Sequence, residues 1–75
     1  MNKDNTLDAT GLLCPLPVLK VRKRLKSIEL GATLRVLADD PAALIDMPHF
    51  CAEAGHELVS QDMDGSVQIY VIRKA

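Results

Sequence analysis

Cys14-Pro15-Leu16-Pro17-Val18-Leu19-Lys20-Val21-Arg22-Lys23-Arg24-Leu25-Lys26-Ser27-Ile28 is the stretch on which the reading of the fold depends. Val18, Val21, Leu25 and Ile28 recur at the spacing of one helical face, with the cations mostly opposite, so the spacing predicts a helix over residues 14–28. Proline suits a first helical turn, because the N–H it lacks would have no intrahelical partner there. That places Cys14 at the N-cap and Pro15 and Pro17 in the first turn. Gly31 then serves as the C-terminal stop.

Working outward, Thr6-Leu7-Asp8-Ala9 reads as a short strand ended by Gly11, and residues 33–38 read as a mostly apolar, internal strand. Two strands joined by a helix should be parallel, with a right-handed connection. Asp39-Asp40-Pro41 turns the chain. Pro48 interrupts the next helical pattern, and a residue ahead of proline avoids the α region. The favoured reading is a turn over residues 41–45 and a helix over 47–54, with Asp46 as N-cap and Gly55 as stop; a kinked continuous helix is the alternative. Residues 56–63 and 66–74 read as a hairpin joined at Asp64-Gly65, a type I′ pair. The expected architecture is an α/β two-layer sandwich of order β-α-β-α-β-β, a mixed four-stranded sheet with two helices on one face.

The 75 residues form one domain over 1–75, with residues 1–5 expected as a flexible N-terminal tail. A net charge of −1 argues against a general nucleic-acid binder. No apolar run approaches the roughly 20 residues of a membrane span, so no membrane association is expected. Met1-Asn2-Lys3-Asp4-Asn5 carries no apolar stretch of a signal or transit peptide, which makes the expected location cytoplasmic. Two cysteines are too few for a disulfide framework, and that compartment keeps thiols reduced.

The two thiols are not equivalent. A helix start is partly positive, and a thiolate there is stabilised, its pKa falling from about 8.5 into the range 3.5–7.5. Of the first three helical residues only Leu16 has an N–H to offer the Cys14 sulfur. Cysteine is a weak cap beside Ser, Asp or Asn, so Cys14 is a candidate reactive thiol, with a plain capping role as the alternative. Cys51 shares an apolar helix face with Leu44, Met47 and Ala54 and is expected to be core. His49, Cys51 and His56 do not make a metal site, because residues two apart on a helix diverge and no fourth ligand or CxxC pair exists. His49 is expected in solvent and His56 at a strand edge. The missing CxxC also excludes thioredoxin-type exchange, and one glycine, Gly11, makes no phosphate loop.

Several blocks together resemble the TusA/SirA-like sulfur-carrier family and its CPxP motif. They are Leu7-Asp8-Ala9, Gly11-Leu12 and Cys14-Pro15-Leu16-Pro17-Val18 with Arg22 and Leu25, then Gly31 and Ala38-Asp39-Asp40-Pro41-Ala42. Asp46-Met47-Pro48, Phe50-Cys51, Gly55-His56-Glu57-Leu58 and Tyr70-Val71-Ile72-Arg73-Lys74 extend the likeness over nearly the whole chain. The resemblance implies that Cys14 accepts sulfur as a persulfide, positioned by Pro15, Leu16 and Pro17, with no cofactor and no metal. It implies a cysteine desulfurase as donor and a relay protein as acceptor, serving tRNA thiolation, molybdenum-cofactor synthesis or sulfur oxidation. Leu16 departs from the acidic residue of the tRNA-thiolation carriers, which leaves the pathway open.

Leu16 and Leu19 lie off the core stripe beside Lys20, Lys23 and Lys26, an apolar patch rimmed by charge. With Arg22 at the margin and Asp40 close by if the strand ends align, Leu19, Arg22, Lys23 and Asp40 are the expected partner-binding residues. A solvated cationic face is the plainer alternative. Two other functional classes compete, a non-catalytic regulatory module and an RNA-binding domain using the basic helix.

Overall fold

Leu34, Val36 and Ala38 are buried in alternation along Thr33–Ala38, and this strand, β2, is the axis of the sheet. The structure is a computed structural model and describes residues 5–75. The elements are β1 (Thr6–Asp8), α1 (Leu16–Leu25), β2 (Thr33–Ala38), α2 (Ala43–Ala54), β3 (Glu57–Asp64) and β4 (Val67–Arg73). The strands stand in the order β1-β2-β4-β3. Leu7 pairs with Val36 in the parallel β1–β2 ladder, Val36 with Tyr70 in the antiparallel β2–β4 ladder, and the β3–β4 hairpin shifts register between Leu58 and Ser60. Most of the tail expected over residues 1–5 lies outside the described residues; the carbonyl of Asn5 accepts the Arg35 N–H at 2.8 Å.

Both helices cover one face, as the amphipathic spacing requires. Val21 and Leu25 of α1 and Ala43, Met47, Phe50 and Cys51 of α2 meet Leu34, Val36 and Ala38 of β2 and Tyr70 and Ile72 of β4 in one core. Val18 and Ile28 pack at its edge. Each fully buried side chain of Val or Leu size contributes about 1.5–3 kcal/mol, which is how a short chain almost without aromatics holds together.

Four local expectations are corrected. Helix α1 begins at Leu16 with Pro15 in the N-cap position and no side-chain cap, because the loop carries the chain past Cys14 before winding starts. It ends at Leu25 with Lys26 as C-cap; Gly31 lies in the following loop, where its N–H donates to the Lys74 carbonyl at 2.8 Å. Helix α2 is continuous through Pro48. Its entry is wound by tight bonds from the Leu44 and Ile45 N–H groups to the Pro41 and Ala42 carbonyls, at 3.1 Å each. Asp46 therefore sits in the first turn, and the N-cap position is Ala42. In the hairpin Asp64 still pairs with Val67, so the turn pair is Gly65-Ser66.

Gly55 ends α2 in the left-handed conformation, φ 80°, and its N–H and that of His56 both reach the Cys51 carbonyl. An added Cβ would meet nothing within 4 Å, so the cost of Gly55→Ala is backbone conformation alone. It is expected to lower stability by about 1–2 kcal/mol, read as a drop in the denaturation midpoint without a change in slope.

Candidate functional site

Residues 9–15 carry the chain from β1 to α1, and three carboxylates hold this loop. Asp8 accepts the Thr10 hydroxyl at 2.6 Å and the Thr10 N–H at 3.0 Å, bonds that hold its carboxyl below the usual pKa. Asp39, beyond the end of β2, accepts the Gly11 N–H at 2.9 Å. Asp40 accepts the Cys14 N–H at 2.7 Å. The parallel pairing of β1 with β2 brings the two strand ends level, which is what lets residues 26 apart meet.

Cys14 is exposed, carries a free thiol and precedes a cis bond to Pro15. Its surroundings correct the expected electrostatics. The Leu16 N–H, assigned above to the sulfur, donates instead to the Leu13 carbonyl at 2.9 Å. The thiol itself donates to Asp46 Oδ2 at 2.9 Å. That hydrogen bond, followed by slight desolvation and the charges of Asp46 and Asp40, raises the Cys14 pKa above its ordinary value. The free thiol is held protonated, the reverse of a helix-start thiolate. Cys51 is buried in the core, and burial pushes its thiol up as well.

Beside the thiol lies a groove of about 450 Å³ between the helices, lined by Pro15, Val18, Arg22, Asp46, His49, Phe50, Glu53 and Ala54. Phe50 lies beneath the Arg22 guanidinium, 5.3 Å from ring centroid to Cζ. His49 is exposed and 3.9 Å from Glu53. His56 precedes β3, and its Nδ1 accepts the N–H of Ala75. Among the described residues no group of three or more His, Cys, Asp or Glu is disposed to hold a metal ion.

The Asp40 loop is anchored from the core. Gln68 is buried, and its Nε2 donates to the Asp40 carbonyl at 2.9 Å while its Oε1 accepts the Tyr70 hydroxyl at 2.6 Å. Tyr70→Phe strands that buried amide oxygen, which is expected to cost about 1–3 kcal/mol. Thermal melting checks it; an unchanged midpoint would mean that the hydrogen bond from Tyr70 to Gln68 contributes nothing to stability.

The structure thus gathers Cys14, Pro15, Asp40 and, through the groove, Arg22. Leu16 and Leu19 are exposed on α1. Lys23 is not in the groove; with Lys20, Arg24 and Ser27 it borders a separate hollow beside Leu7. Pro17 is buried under the head of the helix. Sequence reasoning missed Asp46 as a neighbour of the thiol, and missed Gln68 and Tyr70. For the last two a signal existed, since both share strand parity with the core residue Ile72.

An exposed free thiol at the head of the first helix of a two-layer α/β domain defines a small thiol-bearing protein. The chain matches the family model described as Sulfurtransferase TusA over residues 5–74, and it belongs to that family. It is also similar to the crystal structure of a SirA-like protein from Desulfitobacterium hafniense, with a TM-score of 0.79 and 27% identity over 91% of this chain and 93% of that one. The family assigns it, in general terms, a sulfur-carrier and sulfurtransferase role in a sulfur relay.

Proposed function

We propose that this chain carries sulfur as a persulfide on Cys14, taking it from a cysteine desulfurase and passing it to a relay acceptor protein in the cytoplasm. The observation that supports this most directly is an exposed free thiol in open surroundings. Leu13 and Ile45, 69% and 75% exposed, flank Cys14 and Asp46 in sequence and offer apolar area to an incoming protein. Pro15, Leu16 and Pro17 present the thiol, and Leu19, Arg22, Lys23 and Asp40 meet the partner.

The chemistry is sulfur exchange. The Cys14 sulfur attacks the outer sulfur of the donor persulfide, the donor S–S bond breaks, and the thiol proton ends on the departing donor sulfur. A persulfide and a thiol go in, and a thiol and a persulfide come out, so no oxidant, reductant or cofactor is required. An acceptor thiol repeats the step on Cys14.

Incubation with a cysteine desulfurase and free cysteine tests the reading. Intact mass should rise by one sulfur atom, and the gain should vanish on treatment with a reducing thiol. A chain that gains nothing is not a persulfide carrier. Charge reversal at Arg22 and Lys23 should slow transfer, most at low salt, because exposed charges act chiefly on encounter rate and are screened beyond about 10 Å at 0.1 M salt. Rates that ignore both the substitutions and salt would reduce this face to a solvated surface.

A further inference from the structure

We propose that Asp46 is a latch on Cys14, which holds the thiol proton while the carrier is free and releases it when a cationic side chain of a docking protein pairs with the Asp46 carboxylate. The inference rests on the carrier reading and adds to it the chemistry of the partner and the control of the thiol.

The geometry carries it. Asp46 Oδ2 lies 2.9 Å from the sulfur, so this carboxylate touches the reacting atom. Asp40 Oδ2 binds the Cys14 N–H at 2.7 Å, and Asp39 holds Gly11 in the same loop. The thiol is therefore faced by acidic groups from the end of β2 and from α2. Among the described residues no cation stands within ion-pair distance of Asp39, Asp40 or Asp46. The basic groups of the adjoining groove are otherwise engaged, Arg22 over the Phe50 ring and His49 beside Glu53. An exposed site holding two carboxylates and no countercharge, with exposed Leu13 and Ile45 next to Cys14 and Asp46 in sequence, is complementary to a basic group set in an apolar surface. Docking would exclude water and strengthen that pairing.

The latch has a chemical consequence. Only the thiolate is the strong nucleophile, and the raised Cys14 pKa keeps its fraction low in the free protein. Pairing Asp46 with a cation removes both the proton acceptor and the repelling charge, so the thiolate forms where a donor persulfide is already present. The displaced proton passes to the donor's leaving sulfur, and the balance is that of the exchange written above.

Three methanethiosulfonates of different charge test this on the whole chain, with modification of Cys14 followed by peptide mass. One carries a trimethylammonium group, one a sulfonate and one only a methyl group. At pH 7 and low salt the preference for the cationic over the anionic reagent should be at least about fivefold larger on Cys14 than on a free small-molecule thiol, and that excess should fall with salt. Asp46→Asn should shrink the preference severalfold, raise the rate of the uncharged reagent, and shift its pH midpoint downward. A preference in the unaltered chain no larger than that of the free thiol needs no variant to interpret and would overturn the proposal. So would an uncharged-reagent rate that is unchanged or slower in a folded Asp46→Asn chain. Desulfurase loading is read separately: loading without that excess preference removes the latch and keeps the carrier, and the converse removes the carrier alone.

Discussion

Replacing Cys14 with serine is expected to abolish sulfur loading and leave the fold untouched. A hydroxyl cannot hold sulfane sulfur, so the loss should be complete rather than graded. Cys14 makes no side-chain cap to α1, and it is exposed. A serine keeps the backbone N–H bond to Asp40 and can offer its own hydroxyl to Asp46. Surface replacements of this kind stay within about 0.5 kcal/mol, so matched denaturation curves with zero loading are the expected pair. The same variant separates the competing classes. A regulator in which residue 14 only shapes the helix start would keep its function, and an RNA binder would keep its salt-dependent affinity. Residual loading would direct attention to Cys51, which is only 2% exposed.

Phe50→Ala carries the largest expected cost in stability. Phe50 is buried, supports the Arg22 guanidinium on one side and lies 5.9 Å from the His56 ring on another. Truncating a buried aromatic costs about 3–5 kcal/mol through lost transfer energy and the cavity left behind. A domain of this size is stabilised by only about 4–11 kcal/mol, at roughly 0.05–0.15 kcal/mol per residue. Urea unfolding should show a midpoint displaced by a large fraction of its original value. The groove beside Cys14 loses its floor in the same change, so Arg22 is freed. A loss below about 1 kcal/mol would contradict the packing of α2 against α1.

What the residues disclosed and what they concealed divide along a physical line. Strand β2 over Thr33–Ala38, the burial of Val21 and Leu25, the core position of Cys51 and the helices on one face all follow from short-range periodicity. The start of α1 did not, because which carbonyl takes the Leu16 N–H depends on the path of the preceding loop. The position of Asp46 in α2 turned on whether Pro48 stops a helix or is carried within it, and the two outcomes have the same local pattern. The thiol's electrostatics were concealed most fully. Asp40 and Asp46 reach Cys14 across 26 and 32 residues, so a backbone argument at residue 14 sees only the helix end and gives the opposite sign of shift. Accessibility, not acidity, is the property on which the carrier reading now rests.

The most direct measurement locates the sulfur. After desulfurase treatment of the unaltered chain, peptide mass spectrometry under non-reducing conditions should find the added sulfur on the Cys14 peptide and none on the Cys51 peptide. Sulfur on Cys51, or on neither, would contradict the account.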